Sequence, residues 1–186
     1  MQIGRGIEMK IIFIRHSKAD YSACFERGFI GYGLDLAELT SEGIEIAKNA
    51  CNNPIFQGAE IIISSPFTRA LHTAAILSRN LNLDLITEID FREHTLDTTQ
   101  QVGTTDALKE LWADSDLYNK KHPDGESKRW EEQKTLRERV FNALLKYTQY
   151  KKVIIVSHGM LIHMVTGKNN PGYCGIVEMD YQIQTV

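Results

Sequence analysis

KIIFIRHS, residues 10–17, is the stretch whose reading decides the fold. Its apolar part, Ile11-Ile12-Phe13-Ile14, is short, unbroken and mostly β-branched. That pattern suits a strand covered on both faces rather than one with a wet side. The run stops abruptly at Arg15-His16-Ser17. Two later runs repeat the arrangement. Ile61-Ile62-Ile63 leads into Ser64-Ser65-Pro66-Phe67-Thr68-Arg69, and Val153-Ile154-Ile155-Val156 leads into Ser157-His158-Gly159. Each strand candidate therefore ends in polar residues able to do chemistry.

Helical patterns separate these runs. Thr40-Ser41 offers an N-cap, and Ile44, Ala47 and Cys51 recur on one face. Pro66 suits the first turn of the next helix, whose inner stripe reads Leu71, Ala74, Ala75 and Ser78. A short helix is expected over 107–117 and a longer one over about 128–147, with Glu126-Ser127 as its cap. Residues 85–88 and 175–184 read as two further strands. Short strands alternating with helices predict an α/β domain with a mostly parallel sheet.

A length of 186 residues fits one domain, taken as 9–186, with residues 1–8 as an N-terminal appendage. The segment at about 94–127 reads as a lid-like insertion, because it holds Thr-Thr-Gln-Gln, Gly103 and a His122-Pro123-Asp124-Gly125 turn. A net charge of −3 gives no global positive field, so nucleic acid is not an expected partner. The longest apolar runs are too short to span a membrane. Cys24, Cys51 and Cys174 stand far apart, in no metal-ligand spacing, which fits a reducing, cytoplasmic setting.

In open α/β sheets, ligands bind beyond the carboxyl ends of the strands, so the three strand-end motifs can share one site. A phosphoryl group in transit spreads negative charge over three oxygens. Arginine forks at Arg15 and Arg69 match those oxygens. A neutral imidazole has a free lone pair and can attack phosphorus, a role for His16. A second imidazole, His158, can donate to the transferring group. Glu93, in Phe91-Arg92-Glu93-His94 just past a strand, can protonate the leaving oxygen, with Glu88 and Asp90 as nearby competitors. His72, His94, His122 and His163 read as structural or exposed.

These motifs together resemble the histidine phosphatase superfamily, which includes the cofactor-dependent phosphoglycerate mutases. Arg15-His16, Ser64-Ser65-Pro66 with Arg69-Ala70 and Thr73-Ala74, and Ser157-His158-Gly159 carry the resemblance, in that order. Leu39-Thr40 with Gly43 and Ala47 looks like the family's first helix, and residues 123–127 look like its Pro-Gly-Gly-Glu-Ser-type turn. The resemblance implies a three-layer α/β/α sandwich, phosphoglycerate mutase-like, in which His16 is phosphorylated. It also implies that Arg15, Arg69 and His158 line the phosphate pocket, that Glu93 donates the proton, and that no metal or organic cofactor takes part. Ser17 stands where the family has glycine, and Ser17 and Gly159 are the expected substrate-binding positions.

Two activities fit. A phosphatase would hydrolyse phosphate monoesters, of a small molecule or of a phosphoprotein, through a phosphohistidine. A mutase would return the phosphoryl group to its substrate. Neither the mutases' Tyr-Gly nor the Gly-x-Trp-Glu-Gly of many small phosphatases follows Glu93, and the chain is short for a mutase, which favours the phosphatase. A non-catalytic phosphate-binding module is the reading from another class, opposed by the intact Arg15, His16, Arg69 and His158.

Overall fold

A computed structural model describes residues 7–183 of the chain. In chain order its elements are β1 (Ile7–Arg15), β2 (Ala19–Asp20), α1 (Ser22–Glu26), β3 (Glu38–Leu39), α2 (Ser41–Ala50), β4 (Ile61–Ser64), α3 (Thr68–Leu81), β5 (Leu85–Thr87), α4 (Thr105–Leu117), α5 (Gln133–Leu144), β6 (Lys152–Ser157), α6 (Gly159–Thr166) and β7 (Ile176–Ile183). Five strands form the central sheet in the order β5-β4-β6-β1-β7. β1, β6, β4 and β5 run parallel, while β7 pairs antiparallel with β1 at the edge.

The sheet is buried on both sides along its central strands, because Ile11–Ile14, Ile61–Ile63 and Val153–Val156 are apolar at every position. Met9, Ile11 and Phe13 of β1 face one core, together with Val153, Ile155 and residues of α5 and α6. Ile12 and Ile14 face the other, with Ile154, Val156 and residues of α2 and α3. The strand period of two thus divides one apolar run between two layers. Ile12 and Phe13 are fully buried, each contributing roughly 1.5–3 kcal/mol from burial. Ile12→Asp would place an unpaired charge between sheet and helices and break the layer. The result is the expected three-layer sandwich.

The strands that carry the polar motifs, β4, β6 and β1, are direct neighbours, with β6 in the middle. Their ends are tied together: the His16 amide donates to the Ser157 carbonyl (2.8 Å), and the Ser65 amide to Val156 (2.9 Å). α2 starts as expected, with the Thr40 hydroxyl accepting from the Gly43 amide. Gly43 is required by close approach, since a Cβ there would lie 2.2 Å from the Lys18 carbonyl oxygen.

Several boundaries differ from the sequence reading. Residues 1–6 lie outside the described residues, but Ile7 and Glu8 belong to β1, paired with Ile183 and Gln182, and so are not part of an appendage. The inner face of α3 is Arg69, Ala70, Thr73, Ala74 and Leu77, about one residue round from the expected stripe. Polar Arg69 and Thr73 point inward because that face meets the site. α5 begins at Gln133, not near 128, and Glu126-Ser127 are exposed and do not cap it. The backbone just before α5 is bonded elsewhere: Glu131 donates to the Thr95 carbonyl and Gln133 to Lys120. Trp130 is fully buried in that stretch, its indole N–H donating to Asp114 at 2.8 Å. No described helix is long and apolar enough to cross a membrane.

Candidate active site

His16 and His158 meet where β1 and β6 end, with ring centroids 5.2 Å apart. Both are buried. Nδ1 of His16 lies 2.7 Å from the Ser17 carbonyl. A carbonyl only accepts, so Nδ1 carries the proton and Nε2 keeps its lone pair. Burial, then the charges of Arg69 and Arg15, lower the His16 pKa from 6.5 to about 3, against the opposing Ser17 bond. The imidazole is therefore neutral near pH 7.

His158 is held the other way round. Its Nε2 lies 2.8 Å from the Ser65 hydroxyl, whose oxygen accepts from the Phe67 amide at 3.3 Å. Ser65 can then give its own proton to Nε2, leaving the N–H on Nδ1. Nδ1 is buried and has no protein partner. Complete burial, followed by Arg69 and His16, pushes the His158 pKa well below 6.5. Phe67 fixes the ring edge-on at 5.3 Å.

Arg15 and Arg69 each leave a buried Nε without a partner. Arg15 is anchored by the bond from its NH1 to the Pro171 carbonyl (2.9 Å) and by Tyr173, whose ring centre lies 4.8 Å from its guanidinium carbon. Arg69 donates through NH1 to Asp35 at 2.8 Å. An unpaired guanidinium nitrogen is costly to bury, and two of them beside an unpartnered imidazole nitrogen make a receptor for an oxyanion. Burial raises the Asp35 pKa, with Arg69 opposing that shift.

Glu93 sits at the first turn of α6, directly after His158. Its Oε1 accepts from the amides of Leu161 (2.9 Å) and His94 (2.8 Å), its Oε2 only from Met160 at 3.3 Å. Helix N-termini favour such a carboxylate position. The loop carrying Glu93 is pinned from behind. Arg139 holds both Glu131 oxygens, at 2.7 and 2.9 Å, and donates to the carbonyls of Asp90 and Glu93. The competitors are occupied elsewhere: Glu88 binds Lys146 and Tyr147, and Asp90 binds Arg92.

Thus the structure brings His16, Arg15, Arg69, His158 and Glu93 to one end of the sheet. It places Ser17 differently. That hydroxyl donates to the Gly43 carbonyl (2.6 Å), and its amide donates to Thr73. Ser17 is fully buried against α2 and α3 rather than turned to the anion pocket, so its expected substrate contact is replaced by a packing role. Gly159 opens α6, with the side-chain amide of the exposed Asn170 lying where its Cβ would be. Residues of the segment expected to be lid-like, His94, Leu96 and Leu108, line a cavity together with Arg69 and Glu93. Its turn is built around Asp97, which accepts from the amides of Thr99, Gln101 and Val102.

Sequence reasoning missed Asp35 and Tyr173. Asp35 is 34 residues from its partner, and only its place before Leu39-Thr40 marks it. Tyr173, 6.2 Å from the His16 ring, lies in a loop without a motif. Among the described residues, no cluster of three or more His, Cys, Asp or Glu could hold a metal ion.

Comparison with known proteins agrees with this geometry. A Bacillus subtilis (strain 168) protein named uncharacterized phosphatase PhoE is 30% identical over 107 residues, covering 56% of this chain and 50% of its own length. The match thus spans about half of that relative. A mycobacterial glucosyl-3-phosphoglycerate phosphatase superposes with a TM-score of 0.68 at 19% identity, over 91% of this chain and 89% of the other. A Bacillus anthracis phosphoglycerate mutase gives 0.69 at 18%, over 98% and 94%. The sequence profile of the histidine phosphatase superfamily (branch 1) matches residues 11–169, and the chain belongs to that family.

Proposed function

We propose that this chain is a phosphatase that hydrolyses phosphate monoesters through a phosphohistidine at His16. The observation that carries the reading is the bond of His16 Nδ1 to the Ser17 carbonyl: a carbonyl can only accept, so the proton sits on Nδ1 and the Nε2 lone pair is left free to attack. The substrate phosphate would take the unpartnered Nε atoms of Arg15 and Arg69 and the Nδ1–H of His158. Those donors are aimed where charge develops as phosphorus becomes five-coordinate. Nε2 forms a bond to phosphorus while the bond to the ester oxygen breaks. Glu93, through the less engaged Oε2, gives its proton to that oxygen, so the alcohol leaves neutral. The resulting carboxylate then takes a proton from water, whose oxygen attacks the phosphohistidine. Inorganic phosphate leaves and Nε2 regains its lone pair. The free thiols of Cys24, Cys51 and Cys174 support a reducing, cytoplasmic setting.

The test is chemical trapping. Brief mixing with labelled acetyl phosphate and an alkaline quench should leave label on His16, because phosphoramidates survive alkali. The label should vanish in acid and be absent from His16→Ala. An unlabelled wild-type protein that still released phosphate would mean that His16 activates water instead, and the covalent scheme would fall.

A further inference from the structure

Beside the histidine pair lies a cavity of about 380 Å³, within the usual range for small-molecule sites. It adjoins the anion receptor through Phe67, Arg69 and Glu93. The alcohol part of a bound ester must enter it, because Glu93 has to reach the leaving oxygen. Its walls are ring-bearing and aliphatic: Tyr21, Phe25, Tyr32, Phe67, Leu96 and Leu108. Phe25 and Tyr32 remain 44% and 49% exposed. Large apolar groups at a pocket mouth are the expected partners of an apolar guest.

The charges point the same way. Asp35, Glu93 and Asp97 line this cavity, while Arg69 is the one lysine or arginine among the described residues lining it. Arg69 is already shared between Asp35 and the phosphate position. Asp97 is saturated by its own turn and by Arg129. A second phosphate or a carboxylate on the substrate would therefore meet the Asp35 carboxylate with no free cation to receive it.

We infer that the leaving-group pocket selects phosphate esters of ring-bearing, apolar alcohols that carry no negative charge, and that Asp35 is the residue that turns acidic alcohols away. This rests on the phosphatase reading above and names its substrate class. Like charges brought together in a partly dry pocket repel strongly, whereas a ring buries its area against the aromatic wall.

The experiment compares kcat/KM for three aryl phosphates with similar phenols: 4-ethylphenyl, 4-(2-aminoethyl)phenyl and 4-(carboxymethyl)phenyl phosphate. Acetyl phosphate, which has no ring, reports the chemistry alone. The ethyl and aminoethyl esters should exceed the carboxymethyl ester by about tenfold, the factor that about 1.4 kcal/mol represents. In Asp35→Asn that ratio should shrink toward one, whatever happens to the absolute rate. In Phe25→Ala the ratio of 4-ethylphenyl to acetyl phosphate should fall severalfold. Equal or faster turnover of the carboxymethyl ester by wild type would overturn the inference. So would labelling of His16 by acetyl phosphate with none of the aryl esters turned over, and that result leaves the phosphatase reading standing. Absence of labelling and turnover with every substrate would sink both.

Discussion

The Ser65 hydroxyl lies 2.8 Å from Nε2 of His158, across the boundary between β4 and β6. This bond decides which nitrogen of His158 faces the anion receptor. In Ser65→Ala the ring loses that direction and buries an unpaired nitrogen, at a cost of about 1–3 kcal/mol in stability. The expected kinetic effect is a fall in kcat with KM little changed, because the missing preference concerns the transition state. Unchanged kcat in a folded Ser65→Ala protein would show that the tautomer of His158 does not matter.

Arg69 is paired with Asp35 and keeps a buried Nε without a partner, the atom proposed to take the phosphate. Arg69→Ala should lower kcat/KM by roughly a hundredfold or more, the scale of about 3 kcal/mol for one transition-state donor. It also strands the half-buried Asp35 carboxylate. The double variant Arg69→Ala/Asp35→Asn should therefore regain melting temperature without regaining activity. Recovery of both together would make the pair a structural ion pair only.

Replacing Glu93 with Gln can keep the two amide bonds that Oε1 accepts, from Leu161 and His94, but removes the proton. Turnover of alkyl phosphates, whose alkoxides leave poorly, should drop far more than turnover of 4-nitrophenyl phosphate. Steady-state rates on the two ester types read this directly. Equal slowing would assign Glu93 to positioning rather than proton transfer.

Acidity acts on His16 and His158 in one direction. Both have folded pKa values pushed below 6.5, that of His16 to about 3. The unfolded chain therefore binds these protons first, and stability rises with pH across the interval between the two values. It should be fully present above about 6.5 and decline as pH falls toward 3. A bound oxyanion favours both imidazolium forms, so inorganic phosphate should reduce the loss. Melting temperatures at pH 7.5, 6 and 5, with and without phosphate, test this. A melting temperature flat with pH in the absence of phosphate would contradict neutral burial of the pair.

Much of this site was legible because it is local. A short apolar run followed by Arg15-His16, or by Ser157-His158-Gly159, already says strand and then chemistry. Parallel strands carry all such endings to one edge of the sheet, so His16, Arg69 and His158 converge by topology. The helix boundaries were legible where capping was local, as at Thr40. They failed before α5, where the backbone amides of Glu131 and Gln133 bond to carbonyls of distant loops.

The amino-acid order alone therefore determined the layered α/β architecture and singled out His16, Arg15, Arg69 and His158, which the fold brings together at one end of the sheet. Side-chain direction and partner choice were settled only by the tertiary structure. Ser17 turned inward because the Gly43 carbonyl and Thr73 surround it, and Arg69 acquired Asp35 from a segment 34 residues earlier. The aromatic, acid-lined cavity is assembled from α1, the residues before β3, α3 and the segment after Glu93. Hydrogen bonds and burial depend on which surfaces meet in space, and segments so far apart in sequence reveal their contact only after the chain has folded.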